Sequence, residues 1–264
     1  MFSKEVFNDS QVKAYLNRIG LNSCLDNSLE TLNKLLFAHL THIPFDSIDV
    51  WGAGICPSLE LQDIYEKIVI NRRGGYCFEQ NTLFRIMLCS LGFDAYQVAA
   101  CILSPDGSAQ PPAHNVVICN LDGRKLLLDV GFGGPVPYEA LELVPGKYGI
   151  FDLEKNGEYY RLTRQEGDTV RPFILFRDVP VTISDLIPMN FYISQKPDSH
   201  FRHILHINQR NPDGSTYVVN GNELKIHKDG QTVVQTIGSI EELKEVLMNY
   251  YQMDPATCML RDII

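Results

Sequence analysis

The cysteine at position 77 stands where a reactive thiol is favoured. Cys77 follows Gly74-Gly75, which lets the backbone turn tightly, and it precedes an apolar helical pattern that closes at Gly92. The N-terminus of a helix stabilises an anion, so this position favours the thiolate, which is the nucleophilic form of cysteine. The alternative is a buried cysteine beside a glycine turn, which is the commoner case for a cysteine taken at random.

A nucleophilic cysteine needs a base, and the base needs an acceptor that orients it. Asp122-Gly123 is a strong two-residue hairpin turn between apolar runs, so a hairpin without a bulge would make His114 and Asp129 diagonal neighbours on one face. The alternative is a core histidine and an aspartate at a strand end. However, Asp129 lies in an apolar strand, and a buried carboxylate requires a partner, for which His114 is the nearest candidate.

The elements that must position these residues change type along the chain. Apolar residues recur at helical spacing over residues 29–40, 61–68 and 84–91. Short strands are then predicted at residues 95–103, 114–121, 124–130, 159–162 and 170–176, which indicates a small barrel or sandwich. From residue 194 the pattern mixes strands at 204–207 and 216–219 with a helix that opens at the capping box of residues 239–242.

Three sequence blocks resemble the arylamine N-acetyltransferases. The blocks are RGGYCFEQN (residues 73–81), AHNV (113–116) and LDVGFG (128–133), and weaker likeness extends to residues 15–20, 39–45, 189–192 and 199–201. The resemblance implies a Cys77-His114-Asp129 triad that takes acetyl from acetyl-CoA and passes it to an aromatic amine or hydrazine. It departs from the family at Phe45-Asp46-Ser47, where Glu-Asn is usual after Phe, so contacts between the first helices are in question there.

The resemblance also implies the architecture. It predicts an α+β fold with a cysteine-protease-like core: a helical domain over residues 1–92, a β-barrel domain over 93–193 and a mixed α/β lid over 194–264. Cys77 would belong to the first domain, and His114 and Asp129 to the second. No bound cofactor is expected, since acetyl-CoA is a co-substrate.

The substrate contacts are predicted from nearness in sequence to the triad. Phe45, Phe78 and Phe132 are the predicted walls of an acceptor cleft, although phenylalanine is also the commonest core filler. The resemblance implies that Gly131, Gly133 and Gly134 let the backbone approach the thioester or pantetheine of acetyl-CoA. The same glycine loop begins like a dinucleotide fingerprint, but its sixth position is Val136, and Pro135-Val136-Pro137 does not open the required helix smoothly, so Rossmann binding is not predicted.

Two groups of histidines carry weaker signals. His200, His203 and His206 suggest a metal, but on a strand His203 would point away from the other two, so solvated or packing histidines are predicted. His39 and His42 flank a helix end, where a cationic side chain is favoured, so helix capping is predicted for both.

Composition bounds the possible partners and compartment. The chain of 264 residues has 23 Lys+Arg against 32 Asp+Glu, a net charge of −9, which argues against a nucleic-acid partner. The longest apolar run of the middle region, residues 98–103, is far below the ~20 residues that span a bilayer. The first seven residues carry a charge pair where a signal peptide needs apolar residues, and the seven cysteines include no Cys-x-x-Cys pair. A cytoplasmic protein with reduced thiols and no membrane partner is predicted, and its oligomeric state stays open.

The predicted activity is acetyl-CoA-dependent N-acetyl transfer by a ping-pong mechanism through acetyl-Cys77. An amide synthase of natural-product assembly is an alternative within the same family. A papain-like or transglutaminase-like cysteine hydrolase is an alternative from another class, although the sequence surround typical of papain is absent. A binding module that kept the fold would be favoured only if a residue of the triad were missing.

Overall fold

The computed structural model describes residues 5–21 and 25–262. Cys24 and the first four residues, on which part of the compartment prediction rests, lie outside them. The helices are α1 (Asp9–Arg18), α2 (Leu29–His42), α3 (Ile48–Gly52), α4 (Leu61–Tyr65), α5 (Cys77–Ser90), α6 (Ile183–Gln195), α7 (His200–His203) and α8 (Ile240–Tyr251). A π-helical turn, Glu66–Ile70, follows α4 directly, and a 3-10 turn, Pro255–Thr257, follows α8. Within the described residues, no helix is both long enough and apolar enough to cross a bilayer.

Eight antiparallel strands form one sheet that curls into a nearly closed barrel. They are β2 (Asp94–Ile102), β3 (His114–Leu121), β4 (Arg124–Leu128), β5 (Leu141–Glu142), β6 (Gly146–Tyr148), β7 (Phe151–Asn156), β8 (Tyr159–Glu166) and β9 (Thr169–Val181). The order across the sheet is β5-β4-β3-β2-β9-β8-β7-β6. The predicted α+β class and the predicted barrel are confirmed.

The predicted hairpin of β3 and β4 is confirmed with its register. Asp122 and Gly123 have φ of 50° and 75°, the left-handed conformations that a two-residue turn between twisted strands requires. Val117 pairs with Leu128, and the ladder ends there, so Asp129 comes just after β4. The strand predicted for residues 124–130 is therefore two residues shorter in the structure.

A second, five-stranded sheet lies in the C-terminal part. Its order is β1 (Phe45–Asp46), β10 (His206–Arg210), β11 (Thr216–Asn220), β12 (Glu223–Lys228) and β13 (Gln231–Thr236). Phe45 pairs with Asn208, so two residues of the helical N-terminal segment form an edge strand of the C-terminal sheet. One apolar core joins the first helices to the barrel, and a separate core lies between the C-terminal sheet and α8.

Candidate active site

Cys77 is the first residue of α5, as the glycine turn before it predicts. Tyr76 is extended and forms the N-cap of the helix. The turn packs so closely against the chain after α2 that a Cβ atom on Gly74 would lie 2.2 Å from the carbonyl oxygen of Pro44. Only glycine allows that approach, and the approach fixes the helix start. The Cys77 Sγ atom lies 3.9 Å from the carbonyl oxygen of Ala113, the residue before β3.

His114 and Asp129 meet across the end of the hairpin. Nε2 of His114 donates to Oδ2 of Asp129 at 2.7 Å, and both side chains are almost fully buried. The thiol of Cys77 lies within hydrogen-bonding reach of the same imidazole. The structure therefore brings together the three residues that the sequence predicts as a triad.

Asn81 fixes the carboxylate that contacts the imidazole. Its Nδ2 atom donates to Oδ1 of Asp129 at 3.0 Å and to the carbonyl oxygen of Asn115 at 2.7 Å, while its Oδ1 accepts the Val130 N–H. The Gly131 N–H also donates to Oδ1 of Asp129, at 2.9 Å. Sequence reasoning did not assign this role, but residues four apart share a helix face, so the spacing of Cys77 and Asn81 could have indicated it.

The electrostatic surroundings keep His114 protonated. Burial lowers the pKa of an imidazole, but the charge and the hydrogen bond of Asp129 outweigh burial, and Cys77 adds to them. Together they raise the pKa of His114 to about 10. In the neutral range the site therefore favours the imidazolium form of His114 beside the Cys77 sulfur.

Cys77 and His114 meet at a cavity of about 300 Å³ between the barrel and the C-terminal helices. Its walls are mostly apolar, and among the described residues they are Phe45, Cys77, Ile102, Gln110, Pro111, Ala113, His114, Gly131, Phe132, Tyr192, Ile193, Lys196, His200 and Phe201. Phe45, Phe132 and Gly131, three of the predicted contact residues, line this cavity. The volume is sufficient for a small aromatic molecule.

Three other predicted contact residues, Phe78, Gly133 and Gly134, lie outside the lining of this cavity. Phe78 is completely buried and packs edge-on against Tyr76, because α5 turns it away from Cys77 into the apolar core. A Cβ atom on Gly133 would lie 2.8 Å from the ring of Phe45, so Gly133 packs directly against that ring. The carbonyl oxygen of Gly134 accepts from Arg210 at 2.9 Å. None of the three lines the cavity in this structure.

Residues from α6 and α7 that sequence reasoning did not assign form the roof of the cavity. Tyr192, Lys196 and His200 belong to this roof. The strand geometry used for the three histidines is wrong at His200 and His203, which lie on α7. His206 is largely buried and donates to the carbonyl oxygen of Gly133 at 2.8 Å, which is a packing role. No group of three or more metal-binding side chains occurs in the part of the chain that the structure describes.

The capping prediction is wrong for His39. This residue is completely buried, with Nδ1 2.7 Å from the Tyr15 hydroxyl and Nε2 2.9 Å from Oε1 of Gln80. Burial, the largest effect, lowers the pKa of His39 to about 3, so the ring is neutral and cannot act as a cationic cap. His42 does contact its own helix end, with Nδ1 2.9 Å from the carbonyl oxygen of Ala38.

The carboxylate of Asp46, the position that departs from the family pattern, has polar partners in the structure. Asp46 is buried, and its Oδ1 accepts the Ile48 N–H at 3.0 Å and lies 3.5 Å from Nη2 of Arg73. The acid at this position therefore joins the first helices to the turn that leads to Cys77.

Known proteins resemble the chain over most of its length. A family model described as N-acetyltransferase matches residues 28–257. The arylamine N-acetyltransferase of Mycolicibacterium smegmatis is 29% identical over 260 residues, 94% of each chain, and that of Escherichia coli K12 is 32% identical over 84% of this chain and 80% of that protein. The structure of Mycobacterium marinum arylamine N-acetyltransferase in complex with CoA matches with a TM-score of 0.84 and 26% identity, covering 93% of both chains.

The fold and these matches define an enzyme of the acyltransferase class. The matched region contains Cys77, His114 and Asp129 together with the barrel that carries the last two. The chain belongs to the arylamine N-acetyltransferase family. The predicted resemblance and the predicted enzyme class are thereby confirmed.

Proposed function

We propose that this enzyme transfers the acetyl group of acetyl-CoA to arylamines and aryl hydrazines, with Cys77 carrying the acetyl group between them. The observation that carries the proposal is the position of the His114 imidazole, which bonds Asp129 at 2.7 Å and lies within reach of Cys77 beside one cavity. The relative solved with bound CoA supports the choice of donor.

In the first half-reaction, the Cys77 thiolate attacks the carbonyl carbon of the thioester, and the carbon–sulfur bond to CoA breaks. The CoA sulfur takes the proton of the His114 imidazolium and leaves as a thiol, so acetyl-Cys77 and a neutral His114 remain. The Cys77 N–H, at a helix start where N–H groups have no intrahelical acceptor, is a donor for the oxyanion. The N–H groups of Val130 and Gly131 already donate to Asn81 and Asp129.

In the second half-reaction, the nitrogen of the acceptor attacks the carbonyl carbon of acetyl-Cys77. The neutral His114 accepts the proton that the nitrogen loses, and the Cys77 sulfur leaves as a thiolate, which restores the starting ion pair. Asp129 stabilises the imidazolium in this state and holds the ring in one orientation. The raised pKa of His114 supports both steps, since the ring returns to the protonated form after each cycle.

The cavity walls support an aromatic acceptor. The rings of Phe45, Phe132 and Phe201 line it, and Phe132 lies edge-on to His114 with 5.6 Å between ring centroids. Gly131 lies against the backbone of Cys77, where a Cβ atom would be 2.7 Å from the Cys77 Cα. We assign Phe45 and Phe132 to acceptor binding and Gly131 to the approach of the thioester.

The division of the chain that the resemblance implies is part of our proposal. Residues 1–92 carry the nucleophile, 93–193 carry His114 and Asp129, and 194–264 act as a lid. The roof of the cavity comes from both sides of the second boundary, because α6 crosses it. A mechanism that depends on a free thiol also fits a reducing compartment such as the cytoplasm.

Mass spectrometry of the intact protein, mixed with acetyl-CoA and no amine, tests the central step. We expect a single acetyl group, located on Cys77 by peptide analysis and lost when an aryl hydrazine is added. Cys77→Ser should show none, and buried Cys89 and Cys119 serve as internal controls. Acetylation of another cysteine, or none, would overturn the proposal. An acetyl-enzyme that passes its group to no arylamine or hydrazine would favour the amide synthase instead.

A further inference from the structure

A cluster of charged side chains lies near the start of α5, and none of its members lines the cavity. Nζ of Lys67 contacts Oε1 of Glu79 at 2.7 Å and Oδ2 of Asp49 at 2.7 Å. Nη2 of Arg73 contacts Oδ1 of Asp49 at 2.7 Å and lies 3.5 Å from Asp46. The cluster joins α3, the π-helical turn, the glycine turn and α5. Asp46, Asp49, Arg73 and Glu79 are buried, and the side chain of Lys67 is 13% exposed.

Glu79 connects this cluster to the start of α5. Its Oε2 atom accepts the Tyr76 N–H at 3.1 Å, and Tyr76 directly precedes Cys77. A carboxylate in the first turn of a helix occupies the same positive end of the dipole that stabilises a thiolate there. A charged Glu79 and a charged Cys77 therefore compete for one helix terminus and repel each other.

Lys67 is the residue that cancels the charge of Glu79. Among the described residues it is the one cation that pairs with Glu79, since Arg73 pairs with the two aspartates. Burial opposes a charge on Lys67, but Glu79 and Asp49 raise its pKa above the usual lysine range. Burial also raises the pKa of Glu79, and Lys67 counters that effect. The ion pair is therefore mutual: without Lys67, Glu79 would be a buried carboxylate with no compensating partner.

Other titratable groups surround the two ends of this connection. Near the ion pair they are Asp46, Asp49, Cys56, Asp63, Glu66, Arg73, Tyr76 and Cys258. Near Cys77 they are His114, Asp129, Tyr76, Lys196 and His200. With every acid ionised, the cluster holds three carboxylates against two cations, Lys67 and Arg73. Loss of either member of the Lys67–Glu79 pair changes that balance by one unit, in opposite directions.

We propose that Lys67 is a positioning residue that holds Glu79 on the Tyr76 N–H and cancels its charge, and thereby sets the pH range in which Cys77 reacts. The inference rests on the proposed function only in taking Cys77 as the reactive thiol. Lys67 lies on a π-helical turn, a rare element that occurs often at functional sites. It does not line the cavity, so it acts through Glu79 and the helix start.

The test measures the rate at which iodoacetamide alkylates Cys77 as a function of pH, by peptide mass spectrometry. We expect Lys67→Met to move the profile upward by about one pH unit, which is roughly a tenfold loss of rate at a fixed pH below the midpoint. In that variant the charge of Glu79 has no compensating cation and opposes a negative charge on Cys77. Glu79→Gln, which keeps an acceptor for the Tyr76 N–H, should move the profile downward.

The double variant Lys67→Met with Glu79→Gln should return the profile to that of the unaltered protein. Shifts that are opposite in the single variants and cancel in the double variant separate an electrostatic role from a structural one. Lys34→Met is the matched control, since Lys34 forms the same kind of pair with Glu30 on an exposed face of α2. If Lys67→Met does not fold, the downward shift in Glu79→Gln still decides the question. Equal profiles in folded variants, or shifts of the same sign, would overturn the proposal.

The outcome is independent of the proposed function. Acetylation of the unaltered protein by acetyl-CoA tests whether Cys77 accepts acetyl, whereas the alkylation profiles test only how Lys67 and Glu79 affect its reactivity. If Cys77 is not acetylated but the alkylation profiles still shift in opposite directions, the proposed activity is wrong and the role of Lys67 and Glu79 stands.

Discussion

Two buried histidines, one at the cavity and one in the helical core, differ in charge: His114 is cationic and His39 is neutral. His114 on β3 and His39 on α2 are both almost completely buried. Each also has an aromatic ring packed edge-on against it, Phe132 for His114 and Phe84 for His39. They differ in their partners: His114 contacts a carboxylate, whereas His39 contacts a phenol and an amide.

The comparison shows that the partner, and not burial, decides the charge. Burial lowers the pKa of both rings, but only Asp129 supplies a charge that outweighs it, so the pKa is about 10 for His114 and about 3 for His39. His114 can therefore give and take a proton. His39 stays neutral and links Tyr15 to Gln80 through hydrogen bonds. Gln80 in turn donates to the Gly75 carbonyl at 2.8 Å. One histidine performs chemistry in our mechanism, and the other holds the turn that presents the nucleophile.

The largest expected effect comes from giving His114 the kind of partner that His39 has. Asp129→Asn replaces the carboxylate by a neutral amide, which cannot stabilise an imidazolium and can favour the wrong tautomer. We expect acetylation of Cys77 in a single turnover to fall by about 10⁴-fold, as in other triads. Asp122→Asn is the control, because it makes the same change at the exposed hairpin tip, where asparagine also tolerates the left-handed conformation. Near-normal transfer in a folded Asp129→Asn protein would make Asp129 structural.

A smaller effect is expected from loosening Asp129 without removing its charge. Asn81→Ala deletes the donor to Oδ1 of Asp129 and leaves the Val130 N–H without its acceptor. We expect transfer to fall about 10- to 100-fold, since a hydrogen bond to a buried charged group contributes on that scale. Thr82→Ala, one residue along the same helix, loses a buried bond to Gln97 and should reduce stability but not transfer. Equal losses of transfer in the two variants would argue against a specific role for Asn81.

The sequence predicts the His114 arrangement and misses the His39 arrangement for a physical reason. The turn at Asp122-Gly123 fixes the register of β3 and β4 by local backbone geometry, and that register brings Asp129 to His114. His39 meets Gln80 only after two helices distant in sequence have packed, and no local pattern encodes that contact. Periodicity therefore finds α2 but assigns its histidine to the helix end.

The roof and the edge strand show the same limit. Phe45 pairs with Asn208, far along the chain, and this two-residue strand is too short to produce an alternating pattern. The residues from His200 to His203 form a single helical turn, which carries no periodic signal, so strand geometry was a poor guide there. Lys67 was likewise missed, because its pairing with Glu79 and Asp49 depends on three elements meeting.

The two aromatic rings give the next prediction. Phe132 lines the cavity beside His114, whereas Phe84 is completely buried beside His39. Phe132→Ala should raise KM for an aryl hydrazine about tenfold, because binding shared by ground and transition states is lost, and should change acetylation of Cys77 less. Phe84→Leu should lower the melting temperature and leave KM within about twofold, since its ring reaches no substrate. Phe78→Leu, also behind the wall, should behave like Phe84→Leu.

Two outcomes would count against this assignment of Phe132. If Phe132→Ala impaired both half-reactions equally, its ring would act on the triad and not on the acceptor. If it only lowered the melting temperature, Phe132 would be a core residue. A raised KM in Phe78→Leu would return Phe78 to the acceptor site that the sequence predicts for it.

The smallest effect on activity is expected from His39 itself, and its signature lies in stability. The folded-state pKa of about 3 is below the unfolded value of ~6.5, so the unfolded chain binds the extra proton first as pH falls. His39 should therefore cost stability progressively below pH ~6.5, by about 1.4 kcal/mol for each pH unit until its folded pKa is reached. His114 has the opposite sign, since its stabilisation is complete below pH ~6.5 and is lost as pH rises towards about 10.

Denaturant unfolding of His39→Gln between pH 7 and 4.5 should show a shallower acid slope than the unaltered protein, with transfer at pH 7.5 within about threefold. His42→Gln, at the same helix end, is the control and should keep the original slope. A slope unchanged in His39→Gln would mean that the ring is protonated in the folded state, and the contrast between the two histidines would fail.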